Sequence, residues 1–508
     1  YQGNSFEIND MLATKMLGEP HGTQPFVMLN PRLHFYEYEF ERFWHYYQVW
    51  GRISYNPKVG PEIWEREFSK RLGSDAGPHL MQGLHLASQV LPRIVAASYP
   101  YRNFPTTRGW AEMMRQGDLP DYAKAEGSDI EQFMNPAARA QQILEDTEAT
   151  MRRPEETSQW FSRISHRILA HVAQAERSAR PQPRGEFVCT VTDLKILAHL
   201  AQYHAARLQA AVAYNLYRST NDLFSFDRAL QQEARAVAAW ERIVESAGEV
   251  YHPDMAFGVQ RVGFPRHWKE ELKKLRQGLE ALQVQRKEAR VHATDSRPRI
   301  VHVPVRRSEP EKAILIQASM ASPTPITEAR VWVQTQAGGM ASVAMKQLGE
   351  GKYQASIAPQ RGQTELAYYI EAINAAGYNK LHPFQDQQAV PIRTRITDDK
   401  QPPVLKLERA KLALPFEDLR ISVQATDAST VKWMRLRYRH LTQFEDYRTA
   451  GMRLDPQTGL WSGTIPGDFI TPEWDLMYYV QVMDDQGNGH MYPDLETEMP
   501  YVIVPVER

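Results

Sequence analysis

Apolar positions recur at helical spacing from residue 31 to about 290, and alternate in strand fashion from about 300 to 508. The first helix is predicted from Pro31, a residue suited to a first helical position, to Gly51. Along it Tyr36, Phe40, Phe43, Tyr47 and Trp50 are spaced 4, 3, 4 and 3 apart. That spacing makes one stripe on one face, predicted to be buried, with Glu37, Glu41, His45 and Gln48 on the polar side. A second helix fits GPEIWEREFSKRLG, from Pro61 to Gly73, and others fit residues 78–98 and 155–178. The run TDLKILAHLAQYHAARLQAAVAYNLYRST reads as a helix capped by Thr192 or Asp193. SFDRALQQEARAVAAWERIVESAG reads as one capped by Ser225 and stopped by Gly248. A charged helix follows from Pro265 to about Arg290. Residues 99–150, rich in Pro, Gly and Asp, are expected to form a long irregular excursion.

The second half contains a repeat. AYYIEAINAAGYNKLHP (Ala367–Pro383) aligns without gaps on MYYVQVMDDQGNGHMYP (Met477–Pro493), and upstream GKYQASIAP matches GLWSGTIP. A period of about 110 residues is too long for a solenoid unit and suits a β-sandwich. The expected fold is therefore an α-helical bundle followed by two tandem all-β sandwiches. Their boundaries fall at 31–290, 300–398 and 403–508, with 1–30 as the end of an upstream domain of barrel type.

Composition narrows the partners. The formal net charge of the 508 residues is −1, which gives a nucleic-acid partner little electrostatic support. No apolar run is long enough to span a membrane. The single cysteine, Cys189, excludes an internal disulfide and a Cys-based metal site, and in FVCTVTDLK it reads as a small buried residue just before a helix start. No GxGxxG, P-loop or GxSxG pattern occurs, so no nucleotide or other cofactor is expected. The chain opens YQGNSFEIND, without an initiating Met or a signal-peptide pattern, and reads as the inside of a longer polypeptide.

Candidate chemistry is sparse. Glu7, in FEIN at a predicted strand end, is the one carboxylate placed where barrel enzymes carry catalytic groups, and Asn9 lies two positions on. Glu37, Glu39 and Glu41 read instead as a solvated helix face. Just past the predicted helix end, GRISYNP offers a planar donor (Arg52), a ring (Tyr55) and an amide (Asn56), the groups that hold a sugar or a uronate. His252 and Asp254 lie in the loop VYHPDMAFGVQRVGFPRHW, which could line a pocket or simply join two helices. His199 and His204 are five apart, which is not the spacing of a helical zinc pair, and no metal is expected.

WGRISYNP, DLKILAHLAQYHAARLQAA and VYHPDMAFG resemble the region after the catalytic barrel in large secreted bacterial glycoside hydrolases, the α-glucuronidases of families 67 and 115 being the nearest. The paired sandwiches resemble fibronectin-type or immunoglobulin-like accessory domains. That resemblance implies the C-terminal portion of a secreted or periplasmic enzyme acting on a uronate-containing polysaccharide, with an upstream catalytic domain supplying most of the carboxylates. It implies Glu7 as catalytic and Asn9, Arg52, Tyr55, Asn56, His252 and Asp254 as substrate contacts. Two other readings stand beside it. One is a polysaccharide lyase of helical plus β-sandwich type, using Tyr203, His204 and Arg207; the other is a non-catalytic carbohydrate-binding or scaffold protein.

Overall fold

The structure is a computed structural model that describes residues 20–22, 24, 26–98, 118–179, 185–255 and 267–508. It divides into two compact units: a helical one, from 20–140 and Arg153–Ala289, and a β one, from Gln141–Arg152 and Arg290–Arg508.

The helices are α1 (Glu39–Arg42), α2 (Trp44–Tyr55), α3 (Glu62–Leu72), α4 (Ala76–Ala87), α5 (Val90–Ala97), α6 (Leu119–Tyr122), α7 (Pro136–Glu145), α8 (Pro154–Arg177), α9 (Gly185–Thr220), α10 (Leu223–Ala247) and α11 (Trp268–Glu288). α9 is the axis, packed by α8, α10, α4 and α6. It is buried on every side along Ala205–Leu208 and Ala210–Tyr214, as an apolar helix inside a bundle must be, and its alanines let the neighbours approach closely. None of the described helices is long and apolar enough to cross a membrane.

Several predicted boundaries are corrected. Pro31 opens only a 3-10 turn, Pro31–Leu33, and the aromatic run is split at Phe43, where the backbone leaves the helix between α1 and α2. The stripe therefore does not lie on one helix. Tyr36 is buried, Phe43 and Tyr47 are half-buried, and Phe40 and Trp50 are 57% and 39% exposed. Trp44 and Val49 take the core side of α2 instead, against the cluster that holds Phe68. Gly51 does not end the helix, which continues to Tyr55. Thr192 and Asp193 lie inside α9, as does buried Cys189, and the cap of α10 is Asp222, whose carboxylate accepts Ser225 N at 2.9 Å. The supposed excursion at 99–150 contains α6 and α7.

The first sandwich consists of β1 (Arg299–His302), β2 (Arg307–Ser308), β3 (Ile314–Ala321), β4 (Ile326–Gln334), β5 (Met340–Ala344), β6 (Lys346–Gly349), β7 (Lys352–Ile357), β8 (Glu365–Asn374), β9 (Asn379–His382), β10 (Phe384–Gln385), β11 (Gln388–Ala389) and β12 (Ile392–Ile396). The second consists of β13 (Val404–Leu407), β14 (Leu419–Thr426), β15 (Val431–His440), β16 (Arg448–Gly451), β17 (Arg453–Leu454), β18 (Trp461–Ile465), β19 (Leu476–Asp484), β20 (Gly489–Tyr492) and β21 (Val502–Val504). Sheet β1-β3-β7-β6 matches β13-β14-β18-β17, and β12-β8-β4-β5 matches β21-β19-β15-β16. The register repeats too. Tyr368 faces Ile392 as Tyr478 faces Val502, and Ile370 faces His382 as Val480 faces Tyr492. Each sandwich closes on its own apolar core, one around Ile316, Val331 and Tyr368, the other around Val423, Leu436 and Tyr478.

The strands differ in one respect. β8 alternates buried and half-exposed residues, whereas β19 is buried on both faces. The segment Gln141–Arg152 covers the outer face. Gln481 donates to Thr150 Oγ1 at 2.9 Å, Trp433 to Glu148 at 2.9 Å, and Arg152 pairs with Asp494 and Glu496. Gly489 makes room for it, since a Cβ there would stand 2.7 Å from Ala149 O.

Candidate functional site

The expected contact residues fall in two places in the helical unit, and two lie outside the described residues. Glu7 and Asn9 belong to the latter. Arg52, Tyr55 and Asn56 sit together at the C-terminal end of α2, all exposed, with the Tyr55 ring 93% accessible. Asn56 Oδ1 accepts Lys58 N at 3.0 Å, which closes the turn after the helix and leaves the amide NH2 facing outward from that bond. No other described residue holds the Arg52 guanidinium by a hydrogen bond or ion pair. On the adjoining α1 segment, Tyr38 and Phe40 stack at 5.9 Å with ring planes 14° apart, both more than half exposed. A ring pair of this kind gains nothing from the core and is free to take a flat ligand face.

His252 and Asp254 are brought together by the chain. His252 Nδ1 is 2.6 Å from Asp254 O and 3.1 Å from Asp254 N, and His252 packs edge-on to Phe26 at 5.3 Å. Their segment is held by a short antiparallel pairing to residues 28–30, with Leu29 opposite Tyr251 and His252 N donating to Met28 O at 2.7 Å. The pairing aims Tyr251 at a group the sequence reading missed. Its hydroxyl donates to Asp193 and accepts from Arg42 Nη2 at 2.9 Å, while Arg42 stands 3.6 Å from Asp193. Burial, and then the Asp193 charge, push the Tyr251 hydroxyl well above its ordinary range, so it remains a proton donor at neutral pH. Asp193 escaped notice because it looked like a helix cap, and Arg42 because nothing in the sequence marks its partner.

Tyr203, His204 and Arg207 do lie together, but inside the bundle. All three are buried. Arg207 pairs with buried Glu233 at 3.1 Å and donates to Tyr203, and its guanidinium stacks over Tyr122. Tyr122 in turn is 3.0 Å from His204 Nδ1. Burial and the neighbouring Arg207 hold His204 down at about 3, and burial raises Tyr203 well above its usual range. A neutral imidazole and a protonated phenol with no access to solvent form a structural network. They do not supply the base a lyase needs.

The aromatic helix contributes one more polar contact. His45 Nε2 is 3.1 Å from His85 Nε2, and burial together with His85 lowers His45 to about 4. Trp44, beside it, donates to Glu186 at 2.9 Å.

No protein-family model matches the chain, and no curated protein does. The resemblance to α-glucuronidases therefore gains no family-level support. Among the solved structures that are similar in part, three are as follows. A glycoside hydrolase family 138 enzyme targeting pectin rhamnogalacturonan II is 13% identical over 50% of this chain and 39% of its own, with a TM-score of 0.42. A chimeric titin Z1Z2 is 12% identical over 42% of this chain and 97% of its own, with a TM-score of 0.16. A Ca2+-stabilized adhesin of an Antarctic bacterium is 11% identical over 42% and 50%, with a TM-score of 0.19. At these values none of the three bears on what this chain does.

Proposed function

We propose that the chain is the carbohydrate-contacting, non-catalytic portion of a glycoside hydrolase that acts on a uronate-containing polysaccharide. The observation that carries this reading is the end of α2, where an almost fully exposed tyrosine stands with an arginine and an asparagine in one turn of chain. A guanidinium suits a uronate carboxylate, a ring suits the apolar face of a pyranose, and an amide suits hydroxyls. None of the three is buried, so none is needed to fill the core. The stacked Tyr38 and Phe40 are a second exposed aromatic pair earlier on the same stretch of chain. Asp193, tied to Tyr251 and Arg42, offers a single engaged carboxylate. Glycoside hydrolysis requires two opposed ones, and in this reading they are supplied by a catalytic domain that the enzyme carries besides this chain.

The test is binding of the chain to polygalacturonate and to an uncharged glucan, by calorimetry or affinity electrophoresis. The expected result is preference for the uronate polymer, weakened about tenfold in Arg52→Ala and in Tyr55→Ala with the circular dichroism unchanged. That loss corresponds to about 1.4 kcal/mol. Equal affinity of both variants and wild type would remove the α2 end from the site. Robust release of reducing sugar by the chain would overturn the non-catalytic assignment, and unsaturated products absorbing in the ultraviolet would replace it with a lyase.

A further inference from the structure

The β unit contains three aspartates with no counterpart in the proposed sugar contacts. Asp399 lies in the linker between β12 and β13, Asp427 directly follows β14, and Asp484 is the last residue of β19. One carboxylate oxygen of each lies within 4.8 Å of one on each of the others. Asp484 is fully buried and Asp399 and Asp427 are partly so, yet among the described residues none of the three forms an ion pair. Asp399 Oδ1 accepts Gln401 N at 3.1 Å, but its Oδ2 is buried and accepts nothing. Such an oxygen is costly unless a hydrogen-bond donor or a cation meets it.

The first sandwich supplies an internal comparison. By the repeat and its strand register, Asn374 occupies the place of Asp484, and Ser322, which directly follows β3, occupies that of Asp427. There the three parts of the junction are joined by neutral hydrogen bonds. Asn374 Nδ2 donates to Ser322 Oγ and to Ser296 O, in the segment that leads into β1, at 2.9 Å each. In the second sandwich the amide and the hydroxyl are both replaced by carboxylates. Ionised carboxylates only accept, so the amide-to-hydroxyl bond of the first junction has no equivalent between Asp484 and Asp427. Instead the Asn488 amide donates to Asp484 Oδ2 at 2.6 Å and to the Asp399 carbonyl at 3.3 Å, and Asp427 accepts from Ser429. Burial and the charges of Asp427 and Asp399 raise the Asp484 carboxyl, even though Asn488 donates to both of its oxygens.

We propose that Asp399, Asp427 and Asp484 bind a calcium ion that ties the inter-sandwich linker to the end of the second sandwich. Two oxygens that share an ion are at most twice the metal–oxygen distance apart, about 4.8 Å for Ca2+, so three oxygens within that limit can meet one calcium, whose all-oxygen coordination suits carboxylates. Beside the triad an open cleft of about 410 Å³, lined by Thr397, Asp398, Asp399, Ser429 and Gln486, gives the ion a path and room for its waters. Arg307 of the first sandwich reaches the same place, donating to Asn488 Oδ1 at 2.7 Å and to Asp399 O. An ion there would therefore hold the very loops that join the two sandwiches.

The experiment is calcium titration of the chelator-stripped full chain, followed by calorimetry and by thermal melting. Wild type is expected to bind with a Kd of about 10⁻⁵ to 10⁻³ M and to melt several degrees higher with calcium. Asp427→Ser with Asp484→Asn rebuilds the neutral set of the first sandwich. It should fold, bind one calcium fewer than wild type and lose the calcium-dependent shift. Asp399→Asn alone, in the linker, should weaken binding at least tenfold and serves if the double variant does not fold. Absence of calcium binding by wild type at about 10 mM, or wild-type binding by Asp399→Asn, would overturn the site.

Discussion

At the scale of single residues, the largest electrostatic stake is Arg207, whose guanidinium is wholly buried and faces Glu233. A buried pair is not in itself a strong stabiliser, but removing one partner strands the other. Glu233→Ala is expected to destabilise the helical unit by about 3–5 kcal/mol in urea denaturation. The buried imidazole of His204 and the half-buried one of His45 give a pH dependence of fixed sign. His204 is held at about 3 and His45 at about 4, both below the ordinary 6.5. The unfolded chain therefore binds protons that the folded chain refuses, so stability is complete above pH 6.5 and declines as pH falls from 6.5 towards 4. Urea midpoints at pH 7, 6 and 5 should fall in that order, with a shallower slope in His45→Asn. A midpoint independent of pH over that range would show that these rings are not neutral in the fold.

At the scale of elements, α2 and the repeated strands behave differently from what their patterns suggest. On α2 the core-facing ring is Trp44, not the 4-3-4-3 set, because the break at Phe43 rotates everything after it. Trp44→Ala is expected to cost about 3 kcal/mol, whereas Phe40→Ala should fall within about 0.5 kcal/mol. Equal losses by denaturation would restore the continuous stripe. The two equivalent tyrosines of the sandwiches also diverge. The Tyr368 hydroxyl is 2.8 Å from His302 Nε2 and accepts Val305 N at 3.2 Å. The Tyr478 hydroxyl is buried without a well-formed bond. Tyr368→Phe should therefore cost about 1–2 kcal/mol and Tyr478→Phe close to nothing, since only the former strands buried partners. Thermal melts of the two variants decide it.

At the scale of the whole molecule, the division between units does not follow the order of the chain. Gln141–Arg152 is inserted between two helical stretches yet belongs to the β unit. Arg306 donates to the Ile143 and Leu144 carbonyls, and Lys432 pairs with Glu148. A chain ending at Glu288 is expected to lose amide protection over 141–152 by hydrogen exchange, while α9 retains its own. Protection of 141–152 in the truncated chain would mean that the segment is ordered by its own sequence.

By itself the sequence determined the two regimes, the helix-rich first part, the tandem repeat and the pairing of Tyr368 with Tyr478. These rest on local periodicity and on gapless similarity, which are properties of neighbouring positions. Arg52, Tyr55 and Asn56 stood out because they follow the aromatic run and have no place in its stripe, whereas the continuation of α2 through Arg52 and Tyr55 was decided by the fold. Tertiary structure alone decided the rest. Whether Trp44 or Phe40 faces the core depends on one backbone bend at Phe43 that no period encodes. Arg42, Asp193 and Tyr251 meet from α1, α9 and a loop, and Asp399, Asp427 and Asp484 from a linker and two strand ends. A side chain's charge is written in the sequence, but its partner, burial and proton affinity are set by groups far along the chain that only folding brings within a few ångströms.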